Sequence, residues 1–152
     1  MDEVNRILVV SRSTKNYKEA VHYGVSLARK YGAELYILHV MHDPFSYEGW
    51  NLPIVTIQHE FEQMCKQARE EIDLIVRAEK AEGLNVKELI REGSPVDEIV
   101  KVVEEEKIDL LVLLAHREWR LEHFLFGRTN EELTRRMPCS IVLVKKEPGK
   151  VS

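Results

Sequence analysis

Cysteine is scarce. Only Cys65 and Cys139 occur in 152 residues, too few for a disulfide framework. No apolar run approaches the ~20 residues that a helix needs to cross a bilayer. Excess positive charge is also lacking. The formal net charge is −4 and the sequence pI about 5.9, which argues against nucleic acid or a membrane surface as a partner. The first residues run almost directly into an apolar strand, so no signal peptide is expected and the expected location is cytoplasmic.

Chemical motifs are equally sparse. There is no Gly-x-Ser-x-Gly elbow and no Walker loop. Ser11, Ser13 and Ser94 all stand where a helix cap explains them, and Cys65 and Cys139 sit in apolar patterns, so no catalytic residue is assigned and a non-enzyme is expected. Six histidines invite a metal reading. Neither the His39–His42 pair nor the His116–His123 pair has further cysteines or carboxylates at ligand spacing nearby, and no metal site is assigned.

What the chain does contain is a regular alternation of strand and helix patterns. Ile7-Leu8-Val9-Val10 suits a parallel strand covered on both faces. Ser13 follows as a cap, and Tyr17, Ala20, Val21, Gly24, Leu27, Ala28 and Tyr31 recur at helical spacing before Gly32. Glu34 to Val40 reads as a second strand. His59 to Glu82 reads as a long amphipathic helix with Phe61, Met64, Cys65, Ala68, Ile72, Ile75 and Val76 on one stripe, ended by Gly83. Leu84 to Ile90 is a third strand.

Gly93-Ser94-Pro95 opens a helix. Ser94 caps, Pro95 takes the first position, Asp97 and Glu98 favour the dipole, and Val96, Ile99, Val100 and Val103 face inward. Ile108 to Leu114 is a fourth strand. A short helix from Gly127 or a neighbour carries Leu133 and Met137 inward, Pro138 stops it, and Ser140 to Lys145 is the last strand. This order predicts one α/β domain over residues 1–146, with a five-stranded parallel, doubly wound, Rossmann-like sheet and a polar tail at 147–152.

Three stretches stand apart. Residues 41–58 hold Phe45, Tyr47 and Trp50, aromatics that cover a sheet edge, close over a ligand or meet another subunit. The segment between the fourth strand and the last helix holds Trp119, Leu121, Phe124, Leu125 and Phe126. These are expected to pack over the strand ends, the other reading being a small cavity or interface with Trp119 and Trp50 as a lid. Ile141, Val142, Leu143 and Val144 are apolar on both faces of a strand expected at a sheet edge. An apolar edge favours pairing with a second copy through a two-fold contact.

Several motifs, in order, resemble the universal stress protein family across roughly Asn5 to Lys145. They are the opening strand with Ser13 before its helix, Leu38-His39-Val40, Gly93-Ser94-Pro95 with Ile99 as Gly-x-Pro-x-x-x-Ile, Asp109-Leu110-Leu111-Val112, and the closing run from Arg135 to Val144. The resemblance implies the adenine nucleotide alpha hydrolase-like variant of the fold, a homodimer paired through its last strands, and a stress-response role. It also implies an ATP site built on Gly-x-x-Gly, nine residues, then Gly followed by Ser or Thr. Such glycines let backbone N–H groups approach phosphate at a helix start.

Counted back from Gly127, the two earlier glycine positions fall on Leu114 and Arg117. Arg128 follows Gly127, with Thr129 next, and Ser11 replaces the family's aspartate at the end of the first strand. The expectation is therefore a dimeric binding or signalling module with a degenerate ATP site. The alternative is an ATP- or AMP-binding stress-response protein in which Arg117 and Arg128 meet phosphate directly. Under either reading the ligand cleft lies between the first and fourth strand ends. Its candidate residues are Ser11, Arg12, Ser13, Val40, Ala115, His116, Arg117, Gly127, Arg128 and Thr129, with Val40 contacting a base through its backbone.

Overall fold

The computed structural model describes residues 3–11, 17–41, 55–115 and 129–145. Strands and helices alternate along the chain: β1 (Arg6–Ser11), α1 (Tyr17–Tyr31), β2 (Glu34–Met41), α2 (Val55–Ala81), β3 (Val86–Glu92), α3 (Pro95–Glu105), β4 (Leu110–Leu114), α4 (Thr129–Arg136) and β5 (Ser140–Val144). The five strands are all parallel, in the order β3-β2-β1-β4-β5. The chain winds outward from β1 to β3, then crosses back to place β4 on the other side of β1. The order therefore reverses between β1 and β4, which is where open α/β sheets form a crevice at their carboxyl ends.

Each face of the sheet carries its own core. Alternate side chains of a strand point to opposite faces. Ile7, Val9, Leu35, Ile37, Val112 and Leu114 pack with Ala20, Val21 and Val25 of α1 and Ile72 and Val76 of α2. Leu8, Val10, Tyr36, Leu38, Leu111 and Leu113 pack with Ile99 and Val103 of α3 and Leu133 of α4. This two-sided burial is why β1 and β4 read as unbroken apolar runs. Gly24 lets α1 lie directly on β1. A methyl at that position would stand 2.3 Å from Val9 Cγ2.

Helix ends shift two element boundaries from those the hydrophobic pattern predicts. After α2, Leu84 N–H bonds the carbonyl of Glu79 at 3.1 Å and Gly83 N–H that of Lys80 at 3.0 Å. With Gly83 at φ 94°, this is a Schellman closure. Leu84 therefore belongs to the helix stop, and β3 begins at Val86 rather than Leu84 and continues to Glu92. Helix α2 starts at Val55, a turn earlier than His59. The side chains of Phe61, Met64, Cys65 and Ala68 lie outside the described residues, while Ile72 and Val76 are buried and Ile75 packs beside them.

Two inward positions and one cap differ from expectation. Tyr31 is exposed because it closes the last turn of α1. Met137 is exposed because it takes a left-handed backbone, φ 43°, just after α4, which turns its side chain away from Leu133. Ser94 holds the cap position of α3 with extended backbone, and Pro95 fills the first helical position, yet the serine side chain makes no capping hydrogen bond. The backbone geometry and the proline open this helix without it.

Candidate functional site

Four of the residues expected at the cleft are described, and they all lie at the carboxyl end of the sheet. Ser11 ends β1, is 2% exposed and pairs in register with His39. Val40, near the end of β2, is buried on the α3 side. Ala115 follows β4 and donates its N–H to the carbonyl of Val144 at 2.8 Å. Thr129 opens α4 and is buried. β1 and β4 pair from Ile7↔Leu110 to Val9↔Val112, and Ser11 and Leu114 each end their strand two residues beyond the last pair. Arg12, Ser13, His116, Arg117, Gly127 and Arg128 lie outside the described residues, as do Trp50 and Trp119.

Leu114 is the informative neighbour. Its side chain is 4% exposed and belongs to the apolar cluster between the sheet and α1. Its carbonyl accepts the Asn130 side-chain N–H at 2.8 Å. Asn130 thus fastens the start of α4 to the end of β4. No local sequence signal marks Asn130, because its partner lies 16 positions away. A separate open cleft of about 390 Å³, lined by Arg29, Glu34, Glu82 and Asn85 among others, sits at the opposite end, where α1 and α2 finish and β2 starts. It faces the amino ends of the strands, away from the crevice.

A second polar centre lies between β2, β3 and α2. His39 is 3% exposed, and its Nε2 lies 3.0 Å from Glu88 Oε2. Asp73 of α2 completes the group. One ligand-type atom from each of the three lies within 4.8 Å of the others. Burial drives the His39 imidazole down to about 4, helped by Arg69 and opposed by Asp73. At neutral pH the ring is therefore uncharged, and its contact with Glu88 is a hydrogen bond rather than an ion pair. Burial likewise lifts Glu88 to about 7, reinforced by its hydrogen bond to Asp73 and the charge there, with Lys80 and Arg69 opposing. Local spacing could not reveal this group, for Glu88 is 49 positions from His39. Alternation could have done so: His39 continues the inward face of Leu35 and Ile37, where an apolar residue is the rule.

Cys139 is half-buried just before β5, where burial pushes its thiol up to about 11 against the backbone hydrogen bond at Leu111. That is the near-core role expected of it, since the thiolate is the reactive form.

Known proteins share this frame. A model described as the universal stress protein family matches residues 3–145. A universal stress protein of Methanothermobacter thermautotrophicus is 30% identical over 152 residues, covering 95% of this chain and 99% of the relative. The solved structure of universal stress protein UspA from Lactobacillus plantarum superposes with a TM-score of 0.70 at 21% identity, covering 95% of this chain and 99% of that one. A universal stress protein family protein from Arabidopsis thaliana with AMP bound has a TM-score of 0.66 at 15% identity, covering 97% and 95%. Among the described residues, no helix is long and apolar enough to cross a membrane. With its α/β sheet, its strand order and a family match over nearly its whole length, this chain belongs to the universal stress protein family.

Proposed function

We propose that this chain is a small, non-catalytic binding and signalling module of the cytoplasm, working as a homodimer, whose ATP site is degenerate. The observation that carries the reading is the placement of buried Ser11 and buried Leu114 at the ends of the neighbouring strands β1 and β4, on either side of the switch point. The acidic anchor expected for an adenosine is a buried serine, and a leucine committed to the core stands at the first glycine position of the phosphate loop. Phosphate recognition by bare backbone needs room that a Cβ removes.

The second reading is nucleotide binding in the same crevice. It draws on the AMP-bound Arabidopsis relative and on the arginines at 117 and 128, which suit phosphate chemically. Ser11, Val40, Ala115 and Thr129 would then stand at the adenosine and phosphate positions, with Arg12, Ser13, His116 and Gly127 beside them. Thermal shift of the full chain with ATP, ADP, AMP and cyclic AMP, together with mass spectrometry of small molecules released from the purified protein, separates the two. No shift and no co-purified nucleotide supports the degenerate site. A saturable shift with any of them favours the second reading.

The dimer rests on β5. It is the last strand of the sheet, and Leu143 is 50% exposed beside half-buried Ile141 and Val142. Val144 is 9% exposed and packs in the core, so Leu143 is the outward apolar group. Leu143→Lys is expected to convert a two-subunit mass at micromolar concentration into a one-subunit mass. An unchanged mass in a folded variant would rule out this edge as the contact.

A further inference from the structure

We propose that His39, Asp73 and Glu88 form a binding site for a divalent transition metal ion of the Zn²⁺ type, separate from the crevice at the strand ends. The three side chains come from three elements, β2, α2 and β3, and meet beneath α2 with one donor atom from each within 4.8 Å of the others. The fold alone does not call for them. On β2 the same face carries Leu35 and Ile37, and on β3 it carries Val86, all in the apolar core. On α2, Asp73 stands beside buried Ile72 and one turn from buried Val76. Polar groups at such positions cost stability unless something satisfies them.

The His39 side chain is 4% exposed and directs Nε2 to the carboxylate of Glu88 at 3.0 Å. Two carboxylates held together repel unless a proton or a cation lies between them. A dication answers both carboxylates and accepts the imidazole lone pair as well.

The donor set indicates the class of ion. One imidazole nitrogen with two carboxylate oxygens suits Zn²⁺ and its first-row neighbours, whereas Mg²⁺ and Ca²⁺ favour oxygen alone. Donors at about 2.1 Å from a tetrahedral ion stand roughly 3.4 Å apart. The His39–Glu88 separation is already near that value, and a shift of Asp73 by roughly 1.4 Å would close the widest gap permitted here. Water would fill the remaining position. Arg69 and Lys80 are the cations acting on Glu88, and both residues are solvent-exposed.

The test is isothermal titration of the full chain, stripped with chelator and dialysed, with zinc chloride and separately magnesium chloride. We expect one Zn²⁺ per chain and no magnesium heat. Glu88→Gln and Asp73→Asn, which preserve side-chain shape, should weaken zinc binding at least about tenfold. His59→Ala, at an exposed position on α2, should leave it unchanged. Absence of zinc binding in the wild type overturns the proposal, as does zinc binding of undiminished affinity in both carboxamide variants. Should those variants fail to fold, cobalt(II) absorption of the wild type decides. Intense visible bands of a low-coordinate site support the metal centre, and the pale spectrum of the aquo ion refutes it.

Discussion

The carboxylate of Asp109 accepts the backbone N–H of Arg6 at 3.0 Å and that of Asn5 at 2.9 Å. In return Asp109 donates its own N–H to the carbonyl of Arg6 at 3.0 Å, and Arg6 Nη1 reaches the carbonyl of Glu106 at 2.8 Å. The central strand β1 is thereby registered on β4 before the apolar run begins. Asp109→Ala leaves two N–H groups without their acceptor and is expected to cost about 1–3 kcal/mol. Asp109→Asn, which keeps one acceptor oxygen, should cost less. Urea midpoints give the comparison, and equal stability of all three proteins would remove this clamp from the account.

Gly24 sets how closely α1 approaches the sheet. A Cβ there meets Val9 Cγ2 at 2.3 Å and Leu35 Cδ1 at 3.3 Å, both in the tightly packed core. Gly24→Ala should therefore destabilise by about 1–3 kcal/mol, against the usual gain from replacing a helical glycine. Adding Val9→Ala to the Gly24→Ala chain should restore part of the loss. A double-mutant cycle measures this, and strictly additive effects would contradict a direct clash.

Lys107 ends α3 in a left-handed conformation, φ 52°, the role that glycine plays after α1 and α2. The N–H of Ile108 closes the helix on the carbonyl of Val103 at 3.0 Å. An L side chain is strained in that region, so Lys107→Gly should stabilise the fold by about 1 kcal/mol, raising Tm by roughly 2–4 °C. Calorimetry showing a lowered Tm would indicate that the lysine side chain makes a compensating contact.

The His39–Glu88 pair gives opposing pH dependences in the metal-free protein. His39 is lowered from 6.5 to about 4 in the fold, so its contribution is present above pH 6.5 and is lost as pH falls toward 4. Glu88 is raised from 4.5 to about 7, so its contribution is complete below pH 4.5 and is lost as pH rises through 7. Arg69, Asp73 and Lys80 are the charged groups acting on the pair. Between about pH 4.5 and 6.5 the two trends offset each other. Glu88→Gln should flatten the fall in stability between about pH 6 and 8, and His39→Gln the fall on the acid side. Urea midpoints in chelator across this range are the measurement. A wild-type slope retained above pH 6 in Glu88→Gln would assign it to another group.

The frame was legible because it is written in periodicities. The doubly buried strands Arg6–Ser11 and Leu110–Leu114, the glycine stops at 32 and 83, and Pro95 at a helix start each depend on neighbours in sequence. The edge position of β5 followed from the winding rule and is observed. Exceptions occurred at helix ends. Leu84 was taken by a helix closure and Met137 was turned outward by a left-handed residue, both matters of backbone conformation that a hydrophobic pattern does not carry. The cluster of His39, Asp73 and Glu88 escaped for a different reason. Its members are distant along the chain and come together only when α2 crosses β2 and β3. At the crevice, Ser11 and Leu114 are located, while the arginines that would distinguish an anion site fall outside the described residues.

The hydrogen bond from Asn130 to the carbonyl of Leu114 spans 16 positions of chain. Because the acceptor is main chain, the joint between α4 and β4 is indifferent to which side chain occupies position 114 and rests instead on the amide at 130.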